Sequence, residues 1–170
     1  MIINNWKYKL FDIDKYPNEI FNQDESILAN AVIAINYDLK KKINKNEKIL
    51  EIGCGSYSWL KDNLNPGENK WYGIDVKQTF NGKMGIATDI GSVHDMPYND
   101  NSFDIILANQ SIEHWSEYGI TIEEGLNEIG RCIKQTGEVH LNFPMFLHGE
   151  PIFVKGEIEK IIKIFEKDFI

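Results

Sequence analysis

The sequence predicts an α/β domain built on an open parallel sheet with helices on both faces. Three observations carry that reading. Short apolar runs of strand length recur at 49–52, 71–76 and 103–108, with stretches of helical periodicity between and around them. The run Lys48-Ile49-Leu50-Glu51-Ile52 ends in Gly53-Cys54-Gly55, which reads as a buried strand passing through a tight turn into a helix. With 170 residues, 42% of them hydrophobic, the chain is long enough for one domain with a substantial core.

The elements follow in order. Residues 1–23 mix aromatics (Trp6, Tyr8, Phe11, Tyr16, Phe21) with Asn and Asp around Pro17, without a period, and read as an N-terminal arm lying over the domain. Asp24 or Ser26 can cap a helix running to about Ile43, with Ile27, Leu28, Ala31, Ile35 and Leu39 as its apolar face and Lys40-Lys41-Lys42 at its end. The first strand spans 48–53, a short helix 56–63, and Asn65-Pro66-Gly67 makes a turn. Trp71 to Val76 forms the second strand. The polar stretch from Lys77 to Met84 is too short for a crossover helix, so a loop joins it to a third strand at 85–90. A turn-rich connection leads to the fourth strand, 103–109. Residues 111–119 form a loop or short helix, and a helix over 122–134 buries Leu126, Ile129 and Ile133 before a left-handed cap at Gly137. A fifth strand covers 138–143, and a last helix spans 157–168 on Ile158, Ile161, Ile162 and Phe165.

Charge and composition narrow the function. A net charge of -8 and a pI near 5.0 argue against nucleic acid or an anionic membrane surface as partner. Cys54 and Cys132 supply neither a disulfide framework nor metal-ligand spacing. No secretory signal opens the chain and no apolar run is long enough for a bilayer, so a cytoplasmic setting is expected.

The candidate site gathers at the carboxyl ends of the strands, where open α/β sheets bind ligands. Gly53 and Gly55 permit close approach and offer backbone N–H groups, with Cys54 contributing backbone between them. Asp75, twenty residues beyond Gly55, can accept both hydroxyls of a ribose. The stretch after the third strand offers small residues to an adenine. A nucleoside-containing cofactor accounts for all three. A dinucleotide site would carry glycine or alanine where this chain has Ser58, and Glu51 beside the turn would repel a diphosphate. The same carboxylate suits the ammonium and sulfonium of S-adenosylmethionine.

Four segments in this order, I-L-E-I-G-C-G (49–55), Y-G-I-D (72–75), D-M-P-Y-N-D-N-S-F-D-I-I-L-A-N-Q-S-I-E-H (95–114) and E-I-G-R-C-I-K-Q-T-G-E-V-H-L-N-F-P (128–144), resemble class I S-adenosylmethionine-dependent methyltransferases of the type-11 kind. The resemblance covers roughly residues 46–145 and implies a Rossmann-like sheet of order 3-2-1-4-5. It implies that Glu51, Gly53, Cys54 and Gly55 hold the methionine end, Asp75 the ribose and Val76 the adenine face. Asp89 or the segment Ser92, Val93, His94 would meet the adenine edge, and Asn109 and Gln110 would line the donor pocket. His114 with Glu113, and His148, are candidate bases for an acceptor hydroxyl, with His114 first; His140 alternates within a strand and reads as structural.

The short loop after Asp75 resembles that of small bacterial methyltransferases connected with surface glycans. It points to a small polar acceptor: a sugar, a nucleotide-sugar or a phosphoramidate group of a polysaccharide. A non-catalytic domain binding the same cofactor is the alternative. The usual fold continues with an antiparallel hairpin that the sequence lacks. A C-terminal truncation is therefore expected, with a homodimer or a partner domain covering the edge of the fifth strand.

Overall fold

A computed structural model describes residues 15–21, 27–80, 82–143, 146–147, 150–151 and 163. Helix α1 (Ile27–Lys40) leads into β1 (Lys48–Ile52), α2 (Trp59–Asn63) and β2 (Lys70–Asp75). Two short strands, β3 (Thr79–Phe80) and β4 (Lys83–Met84), precede β5 (Asp89–Ile90) and β6 (Phe103–Asn109). A 3₁₀ helix at Ile112–Tyr118 and helix α3 (Ile122–Cys132) lead to β7 (Ile133–Asn142), and β8 (Phe146–Leu147) pairs antiparallel with β9 (Glu150–Pro151).

The main sheet has five parallel strands in the order β5-β2-β1-β6-β7. Numbered among the sheet strands alone this is the expected 3-2-1-4-5; the difference in detail is that β3 and β4 fold between the second and third sheet strands as a separate antiparallel hairpin. The connection after Asp75 thus carries no helix, as its length and polarity predict. The third sheet strand is shorter than expected: the bond from Thr88 N–H to Gly73 O precedes it, and the ladder itself holds only Asp89 and Ile90.

Strands β1 and β6 are buried on both faces, as their unbroken apolar runs require. Leu50, Ile52 and Ile106 pack with Leu126 and Ile129 beneath α3, while Ile49, Ile105 and Leu107 pack with Leu60 and Leu39 on the other side. Alternate residues of one strand therefore serve two cores. The arm is seen at residues 15–21, where Tyr16 donates to Asp38 of α1 (2.9 Å) and packs edge-on against Tyr37. Its aromatics at 6, 8 and 11, the cap at 24 or 26 and, apart from the helical residue 163, the helix at 157–168 lie outside the described residues.

Two expectations are corrected. The face of α1 is rotated: Ile33, Ala34 and Leu39 are buried, and Ile35 is 40% exposed. The helix is apolar nearly all round, so periodicity alone does not fix its orientation. Gly137 caps nothing. Helix α3 ends at Cys132 and the chain enters β7 at once: Ile133 pairs with Phe103, the register shifts, and pairing resumes at Ile105 with Glu138. The ammonium of Lys134 on Asp104 (2.6 Å) ties this irregular stretch to β6. Gly137 is small because a Cβ there would lie 2.7 Å from the Ile133 side chain and 2.9 Å from the Asp104 carbonyl. The left-handed cap is instead Gly119 (φ 72), closing the 3₁₀ helix.

Candidate functional site

The bend after β1 is built by its glycines and by what touches them. Gly53 (φ 67) and Gly55 (φ 59) adopt left-handed backbone that other residues resist. Gly53 also presses on Ser111: a Cβ would stand 2.5 Å from the Ser111 hydroxyl. Ser111 is held in turn by the Trp115 indole N–H, which donates to its Oγ (3.1 Å).

The two glycines do not supply the free N–H groups expected of them. Gly53 N–H donates to Ile74 O (2.8 Å), and Gly55 N–H donates to Asp75 Oδ2 (2.9 Å). Both glycine amides are spent inside the protein, which removes the donors a diphosphate would need. Asp75 is only 7% exposed and accepts on its other oxygen from Lys77 N–H (3.3 Å). Each carboxylate oxygen keeps a lone pair for a hydroxyl.

Glu51, 3% exposed, lies on the other side of the bend. Its Oε2 accepts from Ser58 Oγ (2.5 Å) and Trp71 Nε1 (3.1 Å), and its Oε1 from Asn109 Nδ2 (2.9 Å). Burial pushes its pKa up, against the pull of these neutral donors. Ser58 does double duty, since its Oγ also caps α2 by accepting from Lys61 N–H (3.1 Å). Neither Ser58 nor Trp71 was expected here as a support for Glu51. Asn109 is itself fixed by Asn142 of β7, whose amide donates to its Oδ1.

Two depressions flank the bend and share Gly53 and Gln110. The first, of about 280 Å³, is walled by Asp75, Val76, Phe80, Val93, Trp115 and Ile120, with His114 and Tyr118 on its far side. The second, of about 640 Å³, lies between the bend and α1 and is walled by Glu51, Tyr57, Ser58 and Asn109 together with Val32, Ile33 and Asn36. Gln110 stands between them in left-handed backbone (φ 50), a strained conformation for a side-chain-bearing residue.

Most sequence-predicted residues converge here: Glu51, Gly53, Cys54, Gly55, Asp75, Val76, Val93, Asn109, Gln110 and His114 all line one depression or the other. The rest stand apart. Asp89 is occupied by Thr88 Oγ1 (3.0 Å) and Tyr98 OH (2.9 Å) and is not part of either wall. Ser92 Oγ bonds the exposed His94 ring (2.7 Å), leaving Val93 as the member of that segment that faces the first depression. Glu113 also lies outside both walls. The carboxylate on His114 Nδ1 is Glu117 (2.8 Å), one helical turn on, rather than Glu113. His148 lies outside the described residues. The Cys54 thiol is inert: burial, then the Glu51 and Asp75 carboxylates, push it up to about 12. Among the described residues no group of His, Cys, Asp and Glu is arranged to hold a metal, and no helix is long and apolar enough to cross a membrane.

The residues fit an adenosyl amino acid better than a diphosphate. Asp75 keeps acceptor lone pairs at the first depression, Glu51 keeps one at the second, and the glycine amides between them are already bonded. Comparison with known proteins agrees. The family described as "Methyltransferase domain" matches residues 50–141, more than half of the chain. An uncharacterised protein of Methanocaldococcus jannaschii is 27% identical over 163 residues, covering 91% of this chain and 67% of its own length. A candidate methyltransferase from Bacillus halodurans superposes with a TM-score of 0.58 at 16% identity, over 85% of this chain and 68% of the other. A TehB-like SAM-dependent methyltransferase from Corynebacterium glutamicum superposes with a TM-score of 0.52 at 17% identity, over 76% and 70%. The chain spans 48% and 59% of the length of two further solved structures with this fold.

Proposed function

The chain belongs to the methyltransferase-domain family, with S-adenosylmethionine as its cofactor, and from that premise we propose that it methylates a small polar acceptor. The observation that carries the proposal is the pair of buried carboxylates, Glu51 and Asp75, set on either side of one glycine bend whose amides are not free. When bound, S-adenosylmethionine supplies a methyl group already activated by its sulfonium. This chain's own residues hold and align. Asp75 accepts the ribose hydroxyls, Val76 and Val93 sandwich the base in the first depression, and Glu51 and Asn109 face the amino-acid end in the second. Gln110, shared by both, borders the place where the methyl group passes. Alignment of this kind is worth about 7–11 kcal/mol of barrier.

His114 is the proposed base for the acceptor proton. With Nδ1–H donating to Glu117, its Nε2 keeps a lone pair toward the depression. The acceptor class rests on the resemblance of the hairpin-bearing connection to methyltransferases of bacterial surface glycans: a sugar, nucleotide-sugar or phosphoramidate group. A cytoplasmic setting belongs to the same proposal. So does a second copy or a further domain along β7, the last strand of the five-stranded sheet.

Titration calorimetry tests the reading. Wild-type protein is expected to bind S-adenosylmethionine and S-adenosylhomocysteine and not NAD, and Asp75→Ala to lower affinity about tenfold or more. Tighter binding of NAD, or unchanged affinity in Asp75→Ala, would overturn it.

A further inference from the structure

Two buried side-chain oxygens have no hydrogen-bond partner among the described residues, Asn36 Oδ1 and Glu113 Oε2. Of the two residues, Asn36 forms part of a depression wall. Asn36 is 1% exposed and ends the series Ala29, Val32, Ile33, Asn36, spaced as one face of α1, which walls the second depression opposite the bend. An amide set into an otherwise apolar helix face and left unpaired is costly, so a buried acceptor of this kind calls for a donor from elsewhere.

A count of lone pairs says which donor. Glu51 accepts twice on Oε2 and once on Oε1, leaving one lone pair on Oε1. A primary ammonium carries three N–H donors, more than Glu51 alone can take. Asn36, in the wall of the same chamber, carries the second unfilled acceptor, and a carboxylate paired with an amide oxygen favours a cation over an anion. We propose that Asn36 is a binding residue for the ammonium at the amino-acid end of the methyl donor, sharing that group with Glu51. The inference rests on the function proposed above. It extends the donor site onto α1, a helix outside the segment that carries the family match.

The test compares S-adenosylhomocysteine with 5′-methylthioadenosine, which keeps the adenosyl thioether and lacks the amino-acid end. Wild-type protein is expected to bind the first more tightly. Asn36→Leu is expected to lower that affinity about tenfold while leaving 5′-methylthioadenosine within about twofold. Asn36→Asp, which keeps an acceptor oxygen, retains the preference. Amide exchange on the wild-type chain needs no variant: S-adenosylhomocysteine should slow exchange in α1 more than 5′-methylthioadenosine does. Equal losses for the two ligands in Asn36→Leu, or equal protection of α1, would each overturn the inference and leave the proposed function standing; equal wild-type affinities would overturn the inference together with the place given to Glu51. Wild-type protein that binds neither ligand would overturn the function as well.

Discussion

Gln110 shows what single residues contribute and what they cost. Its left-handed backbone costs an L-residue about 1–2 kcal/mol, and glycine would relieve that at an entropic cost of roughly 0.5–1 kcal/mol. Gln110→Gly is therefore expected to leave stability in urea unchanged or raised by up to about 1 kcal/mol, while weakening S-adenosylhomocysteine binding through loss of the shared wall. A destabilised variant with full affinity would mean the conformation serves folding alone. His114→Gln should lower turnover by about 10²- to 10⁴-fold with little change in donor affinity, and undiminished turnover would remove it as base. At this scale the sequence was legible where spacing carries chemistry. Glu51, Gly53 and Asp75 stand at fixed offsets around a strand end. Asn36 gave no such signal, because a single amide on an otherwise apolar helix face has no motif around it, and its meaning depends on which way α1 faces.

The elements are coupled through small residues. Gly125 lies on α3 where a Cβ would stand 2.4 Å from the Trp115 ring. The indole can approach the helix this closely only because that Cβ is missing. Trp115 then bonds Ser111, and Ser111 supports Gly53. Gly125→Ala gains about 1 kcal/mol of helix propensity yet must displace the indole. The expected result is a loss of donor affinity in titration although the residue lines neither depression; unchanged affinity would show that Trp115 and Ser111 do not hold the bend. Strands β1 and β6 were readable because burial on both faces leaves an unbroken apolar run. The passage from α3 into β7 was not, since Lys134 to Gly137 resemble a helix end in sequence. What keeps them out of that role is the pairing of Ile133 with Phe103 and the pull of Asp104 on Lys134.

For the molecule as a whole, pH separates opposing groups. Burial lowers the pKa of His140 on β7, against the pull of Glu138 (3.0 Å). The folded state then binds fewer protons than the unfolded state, whose histidine titrates at about 6.5, so this stability is present above that pH and is lost as pH falls through it. Burial raises Glu51 and Glu113, which instead gain stability as pH falls toward the unfolded carboxylate value. Glu128, hydrogen-bonded to Arg131, is lowered, and its contribution is lost only in stronger acid. The thermal midpoint of His140→Gln should fall less than that of wild type between pH 7 and about 5.5; parallel curves would show that His140 is not the group responsible. The parallel sheet could be read from alternating elements and its order followed from the family resemblance, but the β3–β4 hairpin could not be read, because two-residue strands leave no pattern. That hairpin reaches further than its size suggests. Ile86, two residues after it, donates its N–H to Gly55 O (3.0 Å), while Phe80 borders the smaller chamber and Lys83 the larger. One short loop thus frames two doorways and leans on the bend between them, so a change in its length or composition reaches both guests at once.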